Sequence, residues 1–300
     1  MTTLTKEALN GLFTAIVTPF KPDGTVDYAG VTALVRRQIA AGAKGIVPIG
    51  GTGEYPALSH QERVKIVATC VEEAGSAPVM PGVLSTGYHD ALDAGRAFKE
   101  VGAAGLMLVT PFYSPGTQDG MRRYFGNYRA AIDLPLLAYQ IPRRTTVALS
   151  ADTYGALARD GSIIGMKYSD YDMSEFIATM REAGDKLAIL SGEEPLFATH
   201  VALGATGGVL ASATIYPEDW IEIFRLAASG DLKGALKYQA KLEPMLKAIY
   251  SETNPGPLKY FMGLAGIDVG GVRLPLTNPR PETIDRLSEV YKSLKAAIPS

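Results

Sequence analysis

Three hundred residues, 47% of them hydrophobic, suffice for one large α/β barrel or for two ordinary domains. A net charge of −2 with no basic block excludes the electrostatic footprint of a nucleic-acid or anionic-membrane binder. One cysteine, Cys70, cannot form an internal disulfide, the segment Met1-Thr2-Thr3-Leu4-Thr5-Lys6 lacks an apolar leader core, and no stretch reaches transmembrane length, so a soluble, cytoplasmic chain is expected.

Along the chain, apolar runs at 12–18, 45–49, 79–83, 106–109, 136–139, 163–168, 187–190 and 208–211 read as strands. Amphipathic helical patterns separate them, for example at 28–41, 59–74, 89–101, 174–183 and 195–203. Three of the helix-to-strand junctions carry the same small-residue signature: Ala41-Gly42-Ala43, Val101-Gly102-Ala103 and Leu203-Gly204-Ala205. In each, a glycine closes the helix and a buried strand follows. Eight near-continuous apolar strands alternating with helices predict a parallel sheet closed into a (β/α)8 TIM barrel, with an open doubly wound sheet as the alternative. From about Pro217 the strands stop. Helical patterns at 231–249, 257–264 and 281–297 follow, punctuated by Asn254-Pro255-Gly256-Pro257 and by Gly270-Gly271-Val272-Arg273-Leu274-Pro275. The expected division is a barrel over 1–225 and a helical extension over 226–300, packed as one structural unit.

The sixth strand holds the residue that points to chemistry. Lys167 interrupts the run Ile163-Ile164-Gly165-Met166, whereas the other 13 of the 14 lysines sit in polar, turn-rich or amphipathic contexts. A lysine on a core strand is either paired with a buried carboxylate or reaches water at the strand end, or it has a task. Removal from water favours the neutral amine, the form that attacks a ketone to give a Schiff base. Lys167 alone does not choose between these readings.

In such barrels the site forms at the C-terminal ends of the strands. After strand two, Gly50-Gly51-Thr52-Gly53-Glu54 can form a nest of backbone N–H groups for a small anion, or simply a tight turn. It lacks the Gly-Lys-Ser/Thr ending of a nucleotide loop. Tyr113 follows strand four, Tyr139 ends strand five and Arg143-Arg144 come after it, while Glu193 and Glu194 suit the first turn of a helix. His60, His89 and His200 are scattered, without metal-ligand spacing. An amine, an anion nest, a tyrosine hydroxyl and an arginine fork together are the parts of a class I aldolase-type lyase acting on 2-keto acids.

The motifs Gly50-Gly51-Thr52-Gly53-Glu54, Thr110-Pro111-Phe112-Tyr113, Tyr139-Gln140-Ile141-Pro142-Arg143-Arg144, Gly165-Met166-Lys167 and Ser191-Gly192-Glu193 resemble those of the dihydrodipicolinate synthase/N-acetylneuraminate lyase family over nearly the whole chain. The resemblance implies a barrel with a C-terminal helical extension and a homotetramer built as a dimer of dimers. It implies that Lys167 forms the imine with pyruvate, that Tyr139 relays protons, and that Thr52 holds the pyruvate carboxylate. Tyr113 would reach across the tight-dimer interface, Arg144 would bind the carboxylate of the semialdehyde, and Gly192 and Leu210 would line the site through their backbones. No metal or organic cofactor is implied, since the imine is the electron sink.

Two positions depart from the pattern. The synthases carry a relay threonine where this chain has Gly51, and they usually place a glycine near Thr146. The Gly-Gly-Thr-Gly-Glu form of the nest looks more like the sugar-acid dehydratases of the family, such as 5-dehydro-4-deoxyglucarate dehydratase. Arg144, Asn254-Pro255-Gly256-Pro257-Leu258-Lys259 and Arg273-Leu274-Pro275-Leu276 look synthase-like. The expectation is a lyase that condenses pyruvate with a carboxylated aldehyde such as aspartate semialdehyde. The alternatives are a sugar-acid dehydratase or aldolase, and a non-catalytic keto-acid-binding paralogue.

Overall fold

The computed structural model describes residues 4–297. Eight parallel strands, β1 (Gly11–Thr14), β2 (Gly45–Ile46), β3 (Gly82–Val83), β4 (Leu106–Val109), β5 (Leu136–Gln140), β6 (Gly165–Tyr168), β7 (Ala188–Ser191) and β8 (Gly207–Leu210), lie in the order β2-β1-β8-β7-β6-β5-β4-β3. A parallel bridge between Ile46 and Val79 closes the ring, and Met80 N donates to Ile46 O at 2.9 Å. The chain is a (β/α)8 barrel with a C-terminal helical extension. The second and third ladders are shorter than the apolar runs that encode them because Pro48 and Pro81 have no N–H to give. Their carbonyls still accept, from Gly82 N at 3.0 Å and Met107 N at 3.0 Å.

The period of two along each strand divides the core into two layers. Phe13, Val47, Met80, Met107, Leu137, Leu190 and Val209 fill the barrel, while Leu12, Ile46, Leu108, Leu136, Met166, Tyr168 and Leu210 face the helices. Lys167 is flanked by the outward Met166 and Tyr168, so parity turns it inward. Register does the rest, because Tyr139 on β5 pairs with Lys167 on β6 and Lys167 with Leu190 on β7.

Helices follow the strands where the amphipathic patterns lie. Ser59 caps the helix His60–Ala74 reciprocally with Glu62, as the Ser-x-x-Glu spacing requires. The pattern at 195–203 becomes a 3-10 turn, Glu194–Leu196, before the helix Phe197–Ala202. Pro217–Ala228 packs against β1 and completes the outer ring, and Leu232–Ile249, Gly256–Leu264 and Pro281–Ala297 form the extension.

His200 is fully buried in the outer layer, stacked on Phe176 with ring centroids 4.2 Å apart and bonded through Nδ1 to Ser191 Oγ at 2.8 Å. Burial holds its pKa down to about 4, so the folded state binds fewer protons than the unfolded chain between that value and the ordinary 6.5. Stability therefore rises with pH across this window. Denaturant titrations at pH 7 and pH 4.5 are expected to show a loss of about 2–3 kcal/mol on acidification, with less in His200→Phe. Equal acid losses in both proteins would remove His200 from the account.

Candidate active site

Lys167 is 7% exposed, and among the described residues its ammonium has no ion pair or hydrogen bond. Its Nζ lies 4.8 Å from the centre of the Tyr139 ring. The side chain can extend because position 192 is glycine: a Cβ there would stand 2.6 Å from Lys167 Cε and 2.0 Å from Ser169 Oγ. Lysine, tyrosine and glycine meet at the C-terminal mouth of the barrel, on the wall of a cavity of about 790 Å³.

Six of the eight residues singled out from the sequence line that cavity: Gly51, Thr52, Tyr139, Arg144, Lys167 and Gly192. The other two stand apart in this single chain. Tyr113 is 83% exposed and lies outside the cavity wall. Leu210 turns its side chain to the outer layer and its carbonyl accepts from Ala15 N at 3.0 Å, so the residue at the wall is Ala211, just past the end of β8. Strand parity accounts for this exchange, since successive residues face opposite sides.

The loop after β2 is bare beside Arg144. A Cβ on Gly51 would come within 3.2 Å of Arg144 Nη1, so the guanidinium lies against backbone where most side chains would crowd it. One residue on, Thr52 is 8% exposed and its Oγ1 accepts from Asn254 Nδ2 at 2.9 Å. A smaller, largely apolar cavity of about 240 Å³ adjoins the first and shares Gly51, Tyr139, Arg144 and Asn254 with it. Leu84, Val109 and Phe112 line its far side.

Several residues take settings that the sequence does not mark. Glu193 and Glu194, which suit the first turn of a helix by sequence, are both only 3% exposed. Glu193 lines the cavity and pairs with Arg143, which also donates to Ser169 O at 3.4 Å. Burial raises the pKa of Glu193, and the Arg143 guanidinium opposes that rise. Glu194 accepts from Ala211 N at 2.9 Å and from Tyr250 Oη at 2.9 Å, tying the end of β8 to the extension. Asn254 and Tyr250 belong to the extension, so no pattern within the barrel could announce them.

Lys259 corrects the reading that only one lysine lies outside polar surroundings. It is 3% exposed, pairs with Glu54 at 2.7 Å, donates to Gly271 O at 2.6 Å and lies 4.2 Å from the centre of the Phe20 ring. Burial lowers its pKa to about 8, with Glu54 opposing the shift. Glu54 also accepts from Arg273 N at 2.9 Å, and Arg273 pairs with Glu62 at 2.7 Å. The loop after β2 is thus pinned to the C-terminal extension through buried charges. Among the described residues no three His, Cys, Asp or Glu side chains are grouped for a metal ion.

A barrel that keeps one buried lysine unpaired at a strand end, beside a tyrosine and open to a cavity, defines a lyase of the class I aldolase type. Comparison with known proteins agrees. The chain belongs to the dihydrodipicolinate synthetase family, whose profile matches residues 8–296. It is 37% identical over 291 residues to a 4-hydroxy-tetrahydrodipicolinate synthase of Sorangium cellulosum, covering 96% of this chain and 97% of that one. It is 38% identical over 270 residues to the synthase of Anaeromyxobacter sp. strain K, covering 89% and 91%. The fold superposes on the dihydrodipicolinate synthase of Aquifex aeolicus with a TM-score of 0.92 at 32% identity, over 97% of this chain and 100% of that one. It matches the chloride-inhibited synthase of Acinetobacter baumannii in complex with pyruvate at a TM-score of 0.92 and 31% identity, over 95% and 99%.

Proposed function

We propose that this protein condenses pyruvate with a carboxylated aldehyde such as aspartate semialdehyde, through an imine on Lys167. The observation that carries this reading is the contrast between the two buried lysines. Among the described residues Lys259 has a carboxylate partner and Lys167 has none, while Lys167 opens onto the cavity. Its Nζ attacks the ketone carbon of pyruvate, water leaves, and the imine forms. Loss of a methyl proton gives the enamine, with Tyr139 as the adjacent hydroxyl that carries protons to and from it. The enamine carbon then bonds to the aldehyde carbon and the aldehyde oxygen takes up a proton, which restores an imine to Lys167. Water, or the amino group of an amino aldehyde such as aspartate semialdehyde, adds to the imine carbon, the bond to Nζ breaks, and the lysine amine is regenerated. Thr52 and the backbone N–H groups of its loop hold the keto-acid carboxylate, and Arg144 receives the carboxylate of the acceptor. Gly192 makes room for the lysine, and Gly51 leaves the acceptor side of the nest open.

Gly51 cannot pass a proton, so the relay is completed elsewhere. Tyr113 of a second copy is the candidate, because its 83% exposure leaves the whole ring available to an interface. The proposed assembly is a tetramer made as a dimer of dimers. A dihydrodipicolinate synthase variant characterised as monomeric shares the fold at a TM-score of 0.92 and 29% identity, so the fold itself does not impose that assembly. No described helix is long and apolar enough to cross a membrane. A cytoplasmic location is proposed on the strength of the single, buried Cys70.

Borohydride reduction with pyruvate, followed by peptide mass spectrometry, is expected to leave a reduced adduct on Lys167. A protein that stays unmodified there at millimolar pyruvate would overturn the reading. A coupled assay with aspartate semialdehyde, beside a panel of keto-sugar acids, then identifies the second substrate. Gly51 and the polar side of the large cavity, where Glu193 and Glu252 lie, favour a sugar-acid dehydratase as the second reading. Turnover of the sugar acids with none of the semialdehyde would establish it. For Arg144→Ala, the preference for a carboxylated over an uncharged aldehyde is expected to fall about 30-fold or more in kcat/KM, since a charge-assisted pair is lost. An unchanged preference would place the acceptor carboxylate elsewhere.

A further inference from the structure

We propose that Asn254 is a positioning residue that fixes Thr52 as a hydrogen-bond donor, and so makes the loop after β2 selective for a carboxylate. The inference rests on the reading that a 2-keto acid docks at this loop. A threonine hydroxyl has one proton to give and two lone pairs to offer. Left alone, it rotates to suit whatever ligand arrives. In this chain Asn254 Nδ2 donates to Thr52 Oγ1 at 2.9 Å, which commits one lone pair. Among the described residues no acceptor takes the hydroxyl proton in return. The proton is therefore left for the cavity that Thr52 lines, next to the backbone N–H groups of the nest and on the side of Lys167. An anion, which accepts that proton together with the N–H groups of the loop, is the ligand that such an arrangement rewards.

Both ends of this contact are held by the same buried ion pair. Thr52 stands two residues before Glu54, Asn254 stands five before Lys259 at the entry to the helix Gly256–Leu264, and Glu54 and Lys259 meet at 2.7 Å. The donor and the acceptor of the bond cannot drift apart without breaking that pair. Asn254 is also 8% exposed, and among the described residues its Oδ1 has no hydrogen-bond partner. A buried, half-satisfied amide is a costly way to fill space, and an apolar side chain would serve stability better. Its Thr52 bond is the feature that distinguishes it from such a filler.

The test reads the pyruvate concentration that gives half-maximal borohydride trapping on Lys167, which needs no knowledge of the second substrate. Asn254→Ala is expected to raise that concentration about tenfold while full trapping is still reached at saturation. In a Thr52→Val background the same change is expected to shift it less than twofold, because the hydroxyl to be oriented is gone. Equal shifts in both backgrounds, or no shift in either, would overturn the proposal in favour of a packing role. Should Asn254→Ala fold poorly, Asn254→Asp preserves the shape. Its carboxylate would take the Thr52 proton and repel the keto acid, raising the half-saturating pyruvate about 100-fold. Wild-type-like saturation of Asn254→Asp would equally overturn the proposal. Absence of any adduct in the wild-type protein would instead defeat the imine reading itself, so the two failures are distinguishable.

Discussion

Lys167→Arg is expected to lose at least about 10⁴-fold in turnover and all borohydride-trappable pyruvate, while still folding. The substitution is chosen because it keeps the positive charge. Were Lys167 a structural cation, a guanidinium would substitute for it tolerably, since arginine pairs with carboxylates at least as well. As a nucleophile it has no such substitute, because a guanidinium does not give up its proton in proteins and cannot form the imine. Lys167→Met sharpens the contrast. It removes an ammonium that is 7% exposed and has no carboxylate partner among the described residues, and it puts an apolar chain of similar length in the same slot beside Gly192. Thermal unfolding of Lys167→Met is expected at a temperature no lower than that of the parent, because no buried carboxylate is left unpaired. Activity retained in Lys167→Arg, or a fall of several degrees in Lys167→Met, would return the residue to a structural role.

How far the sequence reveals this site depends on how locally each part is encoded. Strands of a parallel barrel are buried on both faces, so each shows as an apolar run and all eight can be placed within a few residues. Lys167 is conspicuous for the same reason, as a charge inside such a run. Its meeting with Tyr139 is also implicit, since both close adjacent strands that align in parallel register. Strand ends blurred by Pro48 and Pro81 are harder to place, because a missing N–H shortens a ladder without changing hydropathy. Which of Leu210 and Ala211 faces the cavity turns on a one-residue parity that hydropathy does not mark, since both are apolar. The contacts that escape notice are those made by distant chain. Asn254 meets Thr52 across 202 residues, and nothing local to either position records the contact. Glu193 and Glu194 look like helix-start acids, yet Arg143 and Tyr250, far off in sequence, are among the partners of their buried carboxylates. The loop after β2 is legible as a glycine cluster, but its attachment to the extension is not.

Lys259→Met is expected to lower the unfolding temperature by about 6–12 °C, corresponding to roughly 3–5 kcal/mol. The cost comes less from the lost attraction than from what remains, a Glu54 side chain fully buried with its cation gone. Replacing both members together, in Glu54→Gln with Lys259→Met, is expected to recover part of the loss. The two substitutions should therefore be strongly non-additive. Removal of Lys259 should also loosen the loop through which Glu54 positions Thr52, since Arg273 N is the other donor to that carboxylate and belongs to the extension as well. Half-saturating pyruvate in the trapping assay is then expected to rise in Lys259→Met at temperatures where the protein is still folded. This sets the two buried lysines at opposite ends of one scale. Met at 167 should remove chemistry and leave stability, whereas Met at 259 should remove stability and weaken substrate binding while imine formation at saturation persists. A Lys259→Met protein as stable as its parent would mean that Glu54 is neutralised or hydrated in the fold. The extension would then be held to the nest by Arg273 and Asn254 alone.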